Sequence, residues 1–142
     1  MQEVVFEVLG KVQGKERVRF SNRGGYVKTY TPENTINYEN WVKTCLIQAV
    51  GNKYSTYAGA VKIELKAVYA PPKSYSKKKT KMLLETEAPY LKKPDCDNIA
   101  KIVCDALNGI AYKDDSQIFD VKISKVYGVD EKLIVKISYL ED

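Results

Sequence analysis

Four aspartates flank one short helical pattern of this sequence. Asp95 and Asp97 come just before the pattern, and the pair Asp114 and Asp115 follows it, directly ahead of a segment of alternating polarity. Carboxylate oxygens are hard ligands for Mg²⁺, and two or three protein carboxylates suffice because the ion keeps several of its waters. A metal held in this way activates water and stabilises charge on a phosphate under attack. The pattern therefore predicts a divalent-metal site, provided that the alternating segment lies beside the helix.

The helix between the two acidic groups is predicted by a single apolar stripe. Pro94 disfavours helical geometry at the residue before it, and the carboxylate of Asp95 or Asp97 can cap the first turn. Asn108 and Gly109 follow the last apolar residue, and glycine is the usual left-handed stop. The stripe consists of apolar residues at helical spacing, namely Ile99, Ile102, Val103, Ala106 and Leu107.

The opposite side of this helix is polar. Asp97, Lys101 and Asp105 recur every four residues and share one face, with Asn98 beside them. Lys101 would place a fixed positive charge at a phosphate held by the metal. Spacing alone leaves a structural alternative open, because acids before a helix are often caps, acids in turns are often solvated, and four-residue spacings often form surface ion pairs.

Periodicity predicts the other elements. Thr31 and Pro32 indicate a helix start, and the helix that follows is expected to use Trp41 as its packing anchor. In chain order, the elements are a strand over residues 3–9, a basic loop or ribbon over 10–30, a helix from about 31 to 50, a strand over 60–69, a short basic helix within 73–87, the helix near 95–107, and a C-terminal hairpin over 118–139. We expect one α+β domain over residues 1–142, with a mixed or antiparallel sheet and helices mainly on one face.

Composition narrows the chemistry. The chain has 142 residues, of which 44% are hydrophobic, and this suits one domain with one core. It contains no histidine, which excludes histidine general bases, Ser-His-Asp and Cys-His nucleophiles, and the usual zinc sites. The three cysteines are odd in number and have no Cys-X-X-Cys spacing, so buried thiols in a reducing compartment are expected. Without a long apolar run or a signal peptide, we expect a cytoplasmic protein with no membrane partner.

Positive charge is concentrated in two segments. The net charge is +5, and residues 10–30 carry six positive side chains against one negative. Such segments contact phosphates and displace counterions, although many charge runs are only solvated. The side chains expected to contact nucleic acid are Lys15, Arg17, Arg19, Arg23, Lys77, Lys78, Lys79, Lys92 and Lys93.

The combined pattern resembles the RusA-type Holliday-junction resolvases, a family of phage- and prophage-associated endodeoxyribonucleases. The basic opening, Gly14-Lys15-X-Arg17-X-Arg19, also looks like that of phage members. Two positions depart from the family pattern, because Cys96 replaces a common aliphatic residue and Val18 a common proline. The densest resemblance lies in Asp95-X-Asp97-Asn98, Lys101, Asp105-Ala106-Leu107 and Asp114-Asp115-X-Gln117.

The resemblance implies a Mg²⁺-dependent, structure-selective endodeoxyribonuclease that resolves four-way DNA junctions by paired symmetric nicks in recombination and repair. It implies a homodimer of bacterial or phage origin, with one or two Mg²⁺ ions in each site and Mn²⁺ as a substitute. By the same resemblance, Asp95, Asp97 and Asp115 would hold the metal and act in catalysis with Lys101. The supporting residues would be Asn98, Asp105 and Asp114.

Two other functions remain open from the sequence. The first is a non-catalytic basic module that binds nucleic acid and uses its aspartates only as caps. The second is a small accessory protein whose basic face docks an acidic protein. An Asp97→Asn variant that still cuts junctions would favour the first, and salt-dependent binding to junctions in preference to duplex would argue against the second.

Overall fold

The computed structural model of the chain describes residues 1–25 and 27–141, except for the side chain of Arg23. Short 3₁₀ turns lie at Arg23–Gly25 and Asp115–Gln117. The helices and strands are β1 (Gln2–Leu9), β2 (Arg19–Ser21), β3 (Lys28–Tyr30), α1 (Glu33–Val50), β4 (Val61–Tyr69), α2 (Lys77–Glu85), α3 (Cys96–Leu107), β5 (Ile118–Tyr127) and β6 (Lys132–Tyr139).

The main sheet has four strands in the order β1-β6-β4-β5. β4 and β5 run parallel, and β6 runs antiparallel to both β1 and β4. Parallel neighbours need a crossover connection, and here α2 and α3 lie in it. Together with the three helices, this mixed sheet confirms the predicted α+β class.

The predicted C-terminal hairpin is wrong, because β4 lies between β5 and β6. Strand alternation fixes which face is buried but leaves the partner of each strand undetermined. The connection therefore crosses the end of β4 instead of turning back on β5. At the crossing, the Gly128 N–H donates to the Tyr69 carbonyl oxygen over 3.0 Å, and a side chain at residue 128 would collide with Val68.

The core lies between one face of the sheet and two helices. All five residues of the predicted α3 stripe are fully buried, as are the alternate residues of β4 that face them. α1 packs on β1 and α3. Trp41 of α1 is 41% exposed and its indole N–H donates to the Leu9 carbonyl oxygen over 2.8 Å, so its expected role as a core anchor is wrong.

Two basic elements lie outside this core. β2 and β3 form a small antiparallel ribbon with mostly exposed side chains, as expected for the basic segment. α2 is the predicted short basic helix; its first turn is capped by the Ser76 hydroxyl, which accepts from the Lys79 N–H over 3.1 Å. None of the α2 residues is buried, so its lysines face solvent.

Candidate active site

The start of α3 presents two carboxylates that no other part of the described chain engages. Asp95 occupies the N-cap position and Asp97 the first turn, and both side chains are exposed. Asp95 makes no side-chain cap, although its backbone carbonyl accepts from the Ile99 N–H over 3.1 Å, so the capping role is wrong for this carboxylate. Carboxylates left without protein donors at a helix N-terminus are available to an external cation or to water.

Asp114 and Asp115 have different surroundings and therefore different roles. Asp114 caps the turn before β5, because its carboxylate accepts from the Ser116 N–H over 3.1 Å and its own N–H donates to the Gln117 side chain over 2.8 Å. The hydrogen bonds from Ser116 hold the pKa of Asp114 below its usual value. Asp115 is half-buried, and no hydrogen bond or ion pair involves its carboxylate in the described part of the chain. Asp115 is therefore the member of this pair that can bind an ion.

Gln117 fixes the position of the turn that carries Asp115. Its side-chain amide donates to the carbonyl oxygens of Tyr57 and Gly59, over 2.8 and 2.9 Å. The same side chain accepts from the Asp114 N–H, so all of its polar atoms hold backbone. The turn is thereby tied to the chain ahead of β4.

Asp105 and Asp115 lie close to the same half-buried thiol, that of Cys104. Burial, followed by the negative charges of Asp105 and Asp115, raises the pKa of Cys104 to about 11. The thiol is therefore neutral at pH 7, but Cys96 and Cys104 are only half-buried, so the prediction of buried thiols is correct for Cys45 and wrong for these two. The turn before β5 approaches the last turns of α3, whereas the sequence predicted an approach to the start of this helix.

Lys15 connects the basic N-terminal segment to the acidic helix. Its ammonium lies 3.2 Å from a carboxylate oxygen of Glu39 and 3.2 Å from one of Asp105. Partial burial opposes the charge of Lys15, but hydrogen bonds to these two carboxylates raise its pKa above 10.5. Its ammonium is thus neutralised within the protein, and this position does not support the predicted DNA contact.

The same segment is fastened along α3 by its backbone. The Lys15 N–H donates to the Asn98 carbonyl oxygen over 2.8 Å. Gly14 packs so closely on Pro94 that a Cβ at residue 14 would lie 2.6 Å from the proline Cβ. A groove of about 560 Å³ lies between the two segments, lined by Lys11, Val12, Gln13, Gly14, Lys15, Glu16, Arg17, Lys93, Pro94, Asp95 and Asn98. It brings cationic side chains next to the Asp95 carboxylate.

A larger groove, of about 680 Å³, runs along α2 and is bordered by Pro71, Tyr75 and Leu84. It contains none of the predicted catalytic side chains. The chemistry therefore points to the smaller groove at the start of α3, where the free carboxylates lie.

The remaining predicted residues are on the surface. Lys101 is exposed on α3 and has no ion-pair partner among the described residues. Arg19 contacts Glu16 at 3.3 Å, and the ammonium of Lys79 lies 3.9 Å from the centre of the Tyr75 ring. Arg23 was also predicted to contact nucleic acid, and its side chain is not among those that the structure describes. The predicted nucleic-acid residues with exposed side chains are Arg17, Arg19, Lys77, Lys78, Lys79, Lys92 and Lys93.

Sequence reasoning missed Lys125. Its ammonium donates to the carbonyl oxygens of Lys92 and Pro94, over 2.7 and 2.8 Å, and so holds the loop before α3 against β5. The available signal was a lysine in register with the buried Ala67 of β4, where an apolar residue is expected.

The oxygen donors of the site decide which metal ion could bind there. Oxygen donors without protein partners suit a hard cation, and the chain offers them at Asp95, Asp97 and Asp115. However, no three acidic, cysteine or histidine side chains group closely enough to share an ion within residues 1–25 and 27–141. The donor chemistry therefore fits Mg²⁺, but the described residues do not bring three such ligands together as the predicted shared site requires.

Residues 10–138 match the family model of the endodeoxyribonuclease RusA, and the chain belongs to this family of nucleases, which act on DNA junctions. It is also similar to a protein of Bacillus subtilis (strain 168) named "Uncharacterized protein YqaN". The two are 34% identical over 140 residues, which cover 96% of each chain. In the described part of the chain, no helix is both long and apolar enough to cross a bilayer.

Proposed function

We propose that this protein is a Mg²⁺-dependent, structure-selective endodeoxyribonuclease that resolves Holliday junctions by paired symmetric nicks. The observation that carries the proposal is Asp95, whose carboxylate has no partner among the described residues and borders a groove with the cationic residues Lys11, Arg17 and Lys93. An acidic site within basic surroundings answers a physical requirement, because unpaired carboxylates alone would repel the DNA backbone.

Asp95, Asp97 and Asp115 would hold one or two Mg²⁺ ions, with Mn²⁺ as a substitute. Two carboxylates are enough for such an ion, because Mg²⁺ retains several waters and also takes oxygens from a bound phosphate. When bound, the ion would supply an activated water and stabilise charge on the scissile phosphate.

The chain's own residues bind and orient the DNA. Lys101, one turn after Asp97, places an ammonium that would stabilise negative charge on the phosphate. Lys125 fixes the loop before Asp95, and Gln117 fixes the turn that carries Asp115. The exposed lysines of α2 and the arginines near β2 would contact flanking phosphates without reading sequence.

The test is a cleavage assay on a synthetic mobile four-way junction, with Mg²⁺ or with chelator. Symmetric nicks only in the presence of metal are expected, with cutting lost in Asp97→Asn. Asp130→Asn is the matched control, because Asp130 is exposed in the link between β5 and β6. Cleavage by Asp97→Asn at the rate of the unchanged protein would contradict the proposed site.

A second function is favoured because the residues that the structure describes contain no group of three side chains that could share a metal ion. A basic module without catalysis would bind junction DNA in a salt-dependent way and leave it intact with or without Mg²⁺. The same assay distinguishes this function from the nuclease. A protein that binds the junction and leaves it uncut in the presence of Mg²⁺ would be the basic module.

A further inference from the structure

A pocket of about 340 Å³ lies beside the groove at the start of α3, and none of the proposed catalytic side chains lines it. Its lining consists of Gln13, Asn34, Asn37, Tyr38 and Trp41. Gln13 also lines the groove that contains Asp95, so the two cavities are adjacent. The volume falls within the range of small-ligand sites, about 300–1,000 Å³. A ligand in this pocket would therefore lie next to the proposed cleavage site.

One wall of the pocket is a single stripe of α1. Asn34, Asn37, Tyr38 and Trp41 stand at positions i, i+3, i+4 and i+7 of this helix, so they share one face. Tyr38 is buried, whereas Trp41 is 41% exposed. The indole N–H of Trp41 donates to the Leu9 carbonyl oxygen, so the ring is held in place and offers its apolar aromatic surface. The stripe therefore combines two carboxamides with a fixed aromatic ring.

Gln13 forms the other wall, and the backbone around it is fixed on both sides. Before it, the Val12 carbonyl oxygen accepts from the Tyr69 hydroxyl of β4 over 3.2 Å. After it, the Lys15 N–H donates to the Asn98 carbonyl oxygen of α3 over 2.8 Å. The Gln13 side chain is therefore presented from a firmly placed segment, although that segment has no regular secondary structure.

The three carboxamides of the pocket are available to a ligand. The Gln13 side chain has one long contact, 3.4 Å from its amide nitrogen to the Lys11 carbonyl oxygen. The side chains of Asn34 and Asn37 make no hydrogen bond with any other residue that the structure describes. Each carboxamide offers both donors and an acceptor. The pocket can therefore bond to a ligand edge on which donors and acceptors alternate.

The chemistry of the lining selects the class of ligand. All five side chains are uncharged, so none of them can neutralise a phosphate or a metal ion. A nucleobase is flat, aromatic and neutral, and its edge carries both donors and acceptors. Proteins recognise unpaired bases by stacking them on aromatic side chains and by hydrogen-bonding their edges. A fixed indole beside three carboxamides supplies both kinds of contact.

We propose that this pocket binds one unpaired nucleobase of the DNA, which stacks on Trp41 and is hydrogen-bonded along its edge by the three carboxamides. The inference rests on the proposed function, because it requires DNA in the neighbouring groove. The Cα atoms of residues 13 and 15 are at most about 7 Å apart, so the base belongs to a nucleotide near the scissile phosphate.

The pocket gives the protein a reason to prefer branched DNA. Removing a base from a stacked duplex costs free energy, and the cost is least where pairing is already weakened. The centre of a four-way junction is such a place, whereas continuous duplex is not. Occupation of the pocket therefore favours the junction over duplex without reading its sequence through the phosphates.

The chain contains a single tryptophan, so the emission of Trp41 reports directly on the pocket. The protein is titrated in chelator with a synthetic four-way junction, and with the same junction carrying abasic sites at the nucleotides that flank the crossover. Light that tyrosine does not absorb is used for excitation. The intact junction should quench the emission, because a base stacks on the indole ring. The abasic junction should bind about tenfold more weakly and leave the emission nearly unchanged.

Equal quenching by the two junctions, or binding of the intact junction without quenching, would overturn the proposal. Asn37→Ala tests the carboxamides in the same titration. It should weaken binding of the intact junction about fivefold and leave the affinity for the abasic junction unchanged, because the lost hydrogen bond is one to the base. Asn40→Ala is the matched control, since Asn40 is an exposed residue of α1 outside the pocket, and it should change neither affinity.

Equal losses on both junctions in Asn37→Ala, or the same effect in Asn40→Ala, would also overturn the proposal. Circular dichroism checks that each variant is folded, and Asn34→Ala is the second variant on the same stripe. Metal-dependent cutting with no difference in Trp41 emission between the two junctions would contradict the pocket alone. A protein whose emission responds to the intact junction, but which never cuts it in Mg²⁺, would contradict the nuclease alone.

Discussion

At the scale of single residues, Lys15 shows how one side chain serves two neighbours. Its ammonium separates Glu39 from Asp105, whose carboxylates would otherwise face each other across the junction of α1 and α3. The sequence identified Lys15 as basic and Asp105 as part of the polar face. It gave no sign that they meet, because their contact depends on how residues 12–16 pack along α3.

Replacing Lys15 with Met is expected to destabilise the fold by about 1–2 kcal/mol, less than for a fully buried pair because the site is partly exposed. Since the pKa of Lys15 is raised in the fold, its contribution is complete below pH 10.5 and is lost as the pH rises through the folded-state pKa. Urea unfolding at pH 7 and at pH 11 measures this. The difference between variant and wild type should shrink at the higher pH, whereas Lys28→Met should show little difference at either.

Replacing Lys101 with Met should lower the rate of junction cleavage by about 10²–10³-fold, because a fixed charge at the phosphate is removed. DNA affinity should change little, since one surface lysine contributes only one phosphate contact. Single-turnover cleavage and a binding titration separate these effects. An unchanged cleavage rate would remove Lys101 from catalysis, and Lys53→Met serves as the remote control.

At the scale of elements, helices and strands were predicted well because each has a clear period. The α3 stripe is buried at every position that periodicity indicated, and β5 begins and ends where alternation does. The helix starts were less certain. Thr31 and Pro32 indicated the start of α1, and Pro32 occupies the N-cap position, because the first residue of a helix depends on local geometry that spacing does not determine.

Ile102 is fully buried at the centre of the α3 stripe. Replacing Ile102 with alanine should lower the free energy of unfolding by about 2–5 kcal/mol, because it removes buried apolar atoms and leaves a cavity. Urea unfolding at pH 7 measures the loss, and Gln48→Ala on the exposed side of α1 should change stability by less than about 0.5 kcal/mol. A similar small change at residue 102 would contradict the predicted packing.

The triple change of Lys77, Lys78 and Lys79 to Gln should weaken DNA binding at low salt. If all three contact phosphates, the slope of log affinity against log salt should fall by about 2.7, at about 0.9 for each contact. A binding titration over several NaCl concentrations gives the slope. The matched control changes three lysines on the open face of the sheet, Lys62, Lys66 and Lys136, and an equal effect there would show that only total charge matters.

At the scale of the whole molecule, the strand order could not be predicted from the sequence. Alternating residues showed that β5 and β6 are strands, but their short connection wrongly indicated a hairpin. The same limit applies to the site, because the relative positions of Asp97 and Asp115 depend on where β5 enters the sheet.

At Gly128 the link between β5 and β6 passes so close to β4 that there is no room for a side chain. Alanine there should destabilise the protein by about 1–3 kcal/mol, because the added methyl group meets Val68 at the end of β4. Thermal unfolding compares this variant with Val129→Ala, a change in the same link at a side chain that is 75% exposed. Equal melting temperatures for the two variants would contradict the tight crossing.

The placement of β6 between β1 and β4 has a consequence for biosynthesis. A ribosome releases β1 and β4 first, yet the strand that joins them is the last to emerge, so the nascent chain carries two unjoined parts of a sheet until residue 139 has been made. Folding of the core must then follow the synthesis of β6. The newly made protein would therefore acquire any cutting activity only once β6 has joined β1 to β4.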